Sequence, residues 1–249
     1  MKPIKKIILA LVALAVLGVG GFLVWFYVIR EEAPSALTTS DLDDALAGAE
    51  TTIVTIPGDT TPPADTTAQA TPGAAGDPSG DWNISDASTL GYRVQEVLGG
   101  LDAEAAGRTN QVTGTLTIAG SQATAAEFTV DVASIKSDSS RRDGQFTGPI
   151  MSASEFPTAV FTLTAPIDFG GAPAEGVTVT ASATGDLTLR GVTNSVTFEV
   201  QAKLEGGRIG VLGNIPITFA DYGIANPSNG FAEVGDDGLL EFVLVFDRA

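Results

Sequence analysis

The chain has 249 residues, with 30 acidic against 13 basic side chains, a net charge of −17 and a mean hydropathy of +0.23. Such acidity argues against nucleic acid and against charge-driven adhesion to anionic headgroups, because both need Lys/Arg patches; its simplest role is to keep a domain soluble. The absence of cysteine and histidine excludes disulfides, Ser-His-Asp and Cys-His catalysis, His-ligated zinc and a His proton switch, and leaves carboxylate-pair chemistry or an oxygen-ligated Ca²⁺ site open.

In chain order, the first element is a charge-free apolar run over residues 7–29. Lys2, Lys5 and Lys6 precede it, and Arg30, Glu31 and Glu32 follow it. A helix of that length spans a hydrocarbon core of about 30 Å. The lysines favour a cytoplasmic N-terminus, which puts everything after Arg30 outside the cytoplasm. Trp25, Phe26 and Tyr27 stand where aromatic rings anchor at the interface. A cleavable signal peptide is the alternative, but its apolar region is roughly 7–15 residues long and ends in small residues. This run is longer and ends in bulky rings, so residues 1–30 read as an uncleaved single-pass signal anchor.

Residues 31–80 hold nine acidic residues, six prolines and no Lys or Arg. Such a stretch buries too little apolar surface to offset chain entropy and is expected to be a disordered linker. Fifty coil residues would span roughly 35–45 Å. Two local signals stand out within it. Ser40-Asp41-Leu42-Asp43 resembles a capping box opening a short helix through Ala47, and residues 51–56 suggest a brief strand.

From Asp81 to the C-terminus the pattern becomes two-residue alternation with turn signals between. Val196, Phe198, Val200, Ala202 and Leu204 alternate with Thr197, Glu199, Gln201 and Lys203, and similar periods surround Phe128, Phe161 and Val179. Eight strands are expected near 89–97, 111–119, 123–136, 159–167, 177–189, 194–205, 208–219 and 239–247. Glu205-Gly206-Gly207-Arg208 reads as a hairpin turn. Asp236-Asp237-Gly238 reads as another, before the last strand, and only weakly as a Ca²⁺-loop fragment. This number of half-buried antiparallel strands suggests a sandwich or a closed barrel, and an eight-stranded barrel is either filled by side chains or holds one small ligand. Residues 137–157 break the pattern while carrying Phe146, Ile150, Met151 and Phe156. They form either a lid over a barrel mouth or a packing loop that plugs one end.

Ser139-Ser140-Arg141-Arg142-Asp143, followed by Phe146, Met151, Phe156-Pro157 and Phe161, resembles the YceI-like family. So do residues 185–193, Gly-Asp-Leu-Thr-Leu-Arg-Gly-Val-Thr, leading into Val196 and Phe198, and the closing Phe219-Ala220-Asp221-Tyr222-Gly223-Ile224. The resemblance begins at Asp81-Trp82 and covers residues 81–249. It implies an all-β fold, an eight-stranded antiparallel lipocalin-like barrel, here preceded by a transmembrane helix and a disordered linker. It also implies that an isoprenoid lipid or quinone is held in the barrel interior. Most members of that family are periplasmic. This chain departs by its anchor and acidic linker, and by carrying Gln145 and Arg190 near places where members often have histidine.

The expected ligand-facing interior set is Phe128, Val130, Val132, Phe161, Leu163, Val196, Phe198, Val200, Phe242 and Leu244, residues that would equally line a filled core. The expected mouth or lid set is Arg141, Arg142, Asp143, Phe146, Met151 and Phe156. There an Arg would hold a polar headgroup with Asp143 orienting it, or the charges would simply fix the loop. Arg190, beside Gly191 in a tight turn, either reaches the mouth or lies in water. The last strand is apolar on nearly every residue from Leu239 to Phe246 except Glu241, which leaves its inward face undecided. The function expected is a membrane-tethered, extracytoplasmic binding protein for an isoprenoid lipid, with no cofactor, no metal and no enzymatic activity. A side-chain-filled interaction barrel without ligand is the alternative. A carboxylate-pair hydrolase would need two converging acids, which the sequence does not display.

Overall fold

The computed structural model describes residues 2–25, 33–48, 77–171 and 174–249. The chain divides into two compact units, Met1–Ala33 and Pro34–Ala249. The first contains α1 (Lys2–Val24). Its side chains are described at Leu11 and from Leu14 onward, and among the described residues no helix is long and apolar enough to cross a membrane. Phe26, Tyr27 and the strand expected at 51–56 lie outside the described residues.

The second unit opens with α2 (Thr39–Ala47). The strands that follow are β1 (Gly80–Ile84), β2 (Thr89–Leu98), β3 (Leu101–Thr109), β4 (Val112–Ala119), β5 (Gln122–Asp131) and β6 (Lys136–Ser137). After α3 (Ser140–Gln145) come β7 (Thr158–Ala165), β8 (Ile167–Asp168), β9 (Thr178–Leu189), β10 (Val192–Glu205), β11 (Arg208–Thr218), β12 (Ala232–Val234) and β13 (Asp237–Arg248). Each of the eight expected strands is present. Strands β1 and β3 escaped the sequence reading for different reasons. Strand β1 is only five residues long. Strand β3, Leu-Asp-Ala-Glu-Ala-Ala-Gly-Arg-Thr, buries alanines and a glycine, so it shows no large apolar alternation.

Eight strands form a closed antiparallel ring in the order β1-β4-β5-β7-β9-β10-β11-β13. Pairing of Trp82 with Arg248 brings β13 back to β1 and closes it. Closure removes the open edges that invite aggregation. The first half of β13 pairs instead with β2, Leu239 opposite Arg93 and Val243 opposite Thr89. Strand β3 lies outside β2, and β6 outside β3, which lengthens the wall at that end. At the β10–β11 hairpin Glu205 pairs with Arg208, and Gly206 and Gly207 both take positive φ, 61° and 75°, as the tight turn requires. The expected turn at Asp236-Asp237-Gly238 is corrected: Asp237 and Gly238 already belong to β13, paired with Thr218 and Ile217.

Residues 34–48 depart from the disordered linker expected of them. They form a strap on the outer wall of the barrel. Leu37, Leu42 and Leu46 pack on Leu212 of β11 and on Val243 and Val245 of β13. These strand residues alternate with inward-facing neighbours, so they lie on the opposite face of the sheet. Gly210 lets the helix approach closely, since a Cβ there would meet Leu42 Cδ1 at 2.5 Å. The capping box is real but starts two residues earlier than expected. Thr38 is the N-cap, and the Asp41 carboxylate accepts from the Thr38 backbone N–H and hydroxyl, each at 2.7 Å. Burial of these three leucines against a matching outer face offsets part of the cost of ordering the nine-residue helix.

Beneath the strap lies Glu241, fully buried. Its carboxylate accepts from Arg108 Nη2 at 2.8 Å, from Arg93 Nη2 at 3.2 Å and from the Leu37 backbone N–H at 3.3 Å. The two guanidinium groups also donate to strap carbonyls, Arg93 to Pro34 O at 2.6 Å and Arg108 to Ser35 O. Lys203 adds an ion pair to Asp43 at 2.8 Å.

Candidate ligand-binding site

Alternate residues of the ring strands point into the barrel and meet in a layer of four phenylalanines. Phe128 (β5) and Phe161 (β7) stack at 5.2 Å between ring centroids, and Phe161 meets Phe198 (β10) edge-on at 5.5 Å. Phe198 meets Phe242 (β13) at 6.1 Å, and Phe242 returns to Phe128 at 5.6 Å. The strands between them supply glycine at this level. A Cβ on Gly185 would lie 2.4 Å from the Phe161 ring, and one on Gly213 would lie 2.3 Å from the Phe242 ring. Large and small residues thus interleave to fill the barrel's cross-section.

On one side of this layer is a cavity of about 70 Å³, or about 780 Å³ of atom-free space when its solvent-open mouth is included. Its wall continues the same alternation: Val200, Ala202 and Leu204 on β10, and Leu244 and Phe246 on β13. Of the lining residues only Thr115, Glu127 and Lys203 have polar side chains. The Lys203 ammonium is engaged elsewhere, with Asp43 and Glu205. Pro78, fully buried, also lines the cavity, and its carbonyl accepts from the Trp82 indole N–H at 2.9 Å. The Arg248 guanidinium covers the Trp82 ring at 4.6 Å. The lining is thus almost entirely apolar. Among the described residues no cluster of acidic side chains is placed to hold a metal ion.

Seven of the ten expected interior residues line this cavity: Phe128, Phe161, Leu163, Phe198, Val200, Phe242 and Leu244. Val130 and Val132 are buried in the core beyond the ring layer, and Val196 is half-buried there. Leu116, Ile118, Ile209 and Phe246 also line it. Phe246 continues the β13 period past Leu244, whereas Leu116 and Ile118 on β4 and Ile209 on β11 belong to strands from which the sequence set named no residue. Phe169, just after β8, had no periodic signal.

The expected mouth residues lie at the opposite end. Phe146 stacks on Tyr92 at 4.6 Å, and Tyr92 pairs with Leu240, on the far side of Phe242 from the cavity. Phe146 and Met151 are buried in the core, and Phe156 covers Gly191 at the β9–β10 turn. Residues 137–157 therefore plug the closed end, as the packing alternative has it. Arg141 is exposed. Arg142 pairs with Asp138 and with Glu96 at 3.2 Å, while Asp143 accepts from the Ser137 N–H at 2.8 Å and hydroxyl at 2.7 Å. These charges fix the plug rather than facing the cavity. Arg190 takes a positive φ of 49° in the β9–β10 turn and donates to Gly223 O at 2.6 Å, also at the closed end.

The sequence signature of the YceI-like domain matches residues 82–246. The chain belongs to the YceI-like domain family. Solved structures with the same barrel include Burkholderia cenocepacia BcnA, 24% identical, with 65% of this chain and 98% of that one covered at a TM-score of 0.51. Another is a polyisoprenoid-binding domain from Saccharophagus degradans implicated in plant cell wall breakdown, 17% identical, with 68% and 98% covered at a TM-score of 0.55. At these identities the likeness is one of fold. A search of curated proteins found no match.

The plug of this YceI-like barrel carries a pH signature. Burial pushes the Tyr92 hydroxyl up to about 12, with Asp143 and Glu96 adding to the rise and Arg142 opposing it. Its folded value exceeds the unfolded value near 10, so the contribution is complete below pH 10 and is lost as pH rises toward 12. The expected loss is about 2–3 kcal/mol. Denaturation series at pH 9 to 12 should show it, and Tyr92→Phe should remove that part of the pH dependence; an unchanged slope in Tyr92→Phe contradicts the assignment.

Proposed function

We propose that this YceI-like protein is a non-catalytic binding protein for an isoprenoid lipid, polyprenyl or quinone, whose tail occupies the barrel cavity. The observation that carries the reading is the cavity itself, inside a closed barrel, apolar on nearly every lining residue and partly open to solvent. Family membership and the polyisoprenoid-binding neighbour support it. Burial of the tail would drive uptake at about 0.8 kcal/mol per CH₂, offset by ordering a flexible chain.

The tether belongs to the same proposal. The charge-free run over residues 7–29 follows three lysines, and the described side chains Leu14, Val16, Leu17 and Val19 of α1 are all more than half exposed. Apolar surface of that extent calls for lipid around it. The helix would hold the barrel outside the cytoplasm, beside the bilayer that supplies the ligand, raising effective concentration.

A second reading draws on the small free volume, about 70 Å³: a barrel filled by its own side chains that works through its outer surface. Melting curves of the full chain separate the two. Saturation with an isoprenol at about 100 times its Kd should stabilise the barrel by about 2.7 kcal/mol and raise Tm. An unchanged Tm at every isoprenol concentration favours the filled barrel.

A further inference from the structure

We propose that the four-phenylalanine layer is a floor that limits the ligand chain held inside the barrel to about three isoprene units. This deepens the isoprenoid reading and rests on it. The cavity ends at one level on every strand that contributes a ring. On β10 its lining runs from Leu204 to Phe198 and excludes Val196; on β13 it runs from Phe246 to Phe242 and excludes Leu240. On β5 and β7 it stops at Phe128 and Phe161.

Behind the floor the barrel is occupied. Leu187, Leu189, Val130 and Ile215 are each at most 2% exposed, and the plug residues close the end beyond them. The floor cannot tilt away easily. The Phe161 and Phe242 rings lie against the backbone of Gly185 and Gly213, closer than any side chain there would allow, and each of the four rings touches two others. Six residues of β10 separate Phe198 from Leu204. At about 3.3 Å per residue and a strand tilt of roughly 35–45°, the wall is about 15 Å deep, the length of about three extended isoprene units, and the lining side chains must move apart to admit such a chain into a free volume of about 70 Å³. Carbons beyond that reach stay outside the barrel and add no burial to the driving force.

The test is native mass spectrometry of the full chain in mild detergent, with an equimolar mixture of all-trans isoprenols of 10, 15 and 20 carbons. Occupancy should rise at least about tenfold from 10 to 15 carbons and change by no more than about twofold from 15 to 20, because burial gains stop at the floor. In Phe198→Ala the rise should resume at 20 carbons, by roughly fivefold. Phe198→Leu keeps a large apolar side chain should the alanine variant fail to fold, and should show the same direction with a smaller step. Wild-type occupancy that climbs from 15 to 20 carbons as steeply as from 10 to 15 overturns the floor and leaves isoprenoid binding standing. So does an unchanged length profile in a folded Phe198 variant. No adduct at any length overturns the isoprenoid reading, and the length limit with it.

Discussion

Replacing Glu241 with alanine should destabilise the barrel unit by about 3–5 kcal/mol, the cost of breaking a buried charge cluster from one side. Its carboxylate is fully buried, and it is the shared acceptor for Arg93, Arg108 and the Leu37 backbone N–H. Without it the Arg93 guanidinium, 7% exposed, keeps Glu104 and the Pro34 carbonyl as its partners among the described residues. The strap should then loosen, because both arginines that hold its carbonyls are positioned by Glu241. Urea denaturation of the full chain reads the stability, and limited proteolysis within residues 34–48 reads the strap. A loss below about 1 kcal/mol, with the strap still protected, would show that the cluster is in effect solvated.

Filling the cavity from its side wall should abolish binding while leaving the barrel folded. Ala202 lines the slot between the floor and the mouth, is buried, and faces Val211 on β11 and Val179 on β9. A phenyl group there takes the space a ligand chain needs. Overpacking should lower stability by about 1–3 kcal/mol, well short of unfolding for a domain of ordinary stability. Ligand-induced stabilisation, about 2.7 kcal/mol in the wild type at 100 times Kd, should vanish in Ala202→Phe. Equal stabilisation of the two proteins would place the ligand outside this cavity.

The barrel was legible because its strands are half-buried. Phe128, Phe161 and Phe198 each sit in a two-residue period against polar neighbours, and the structure turns those periods inward. The last strand resisted because both of its faces are covered. Phe242, Leu244 and Phe246 line the cavity, while Val243 and Val245 lie under the strap. A strand buried on both sides loses its alternation, and Glu241, the one charge between Leu239 and Phe246, is the mark of the strap rather than of a solvent face. The strap itself was half legible. Its capping box is local and readable. Its docking depends on Gly210 and Leu212, more than 160 residues away, and composition alone carries no such pairing.

The site was readable by face but not by end. Nothing in the spacing of Phe146, Met151 and Phe156 distinguishes a lid from a plug, since both need apolar residues on an irregular segment. The distinction lies in tertiary pairing: Phe146 on Tyr92, and Tyr92 opposite Leu240. The charges of Arg142 and Asp143 likewise signal order in that segment, but their partners Asp138, Glu96 and Ser137 make them loop supports.

The most direct test of the binding claim is the mass of the full chain purified from producing cells, recorded intact under native conditions and again after denaturation with lipid extraction. The expected result is a one-to-one adduct that is released on denaturation and carries the mass of an isoprenoid lipid. A clean apo mass that stays unchanged after incubation with isoprenols would contradict it.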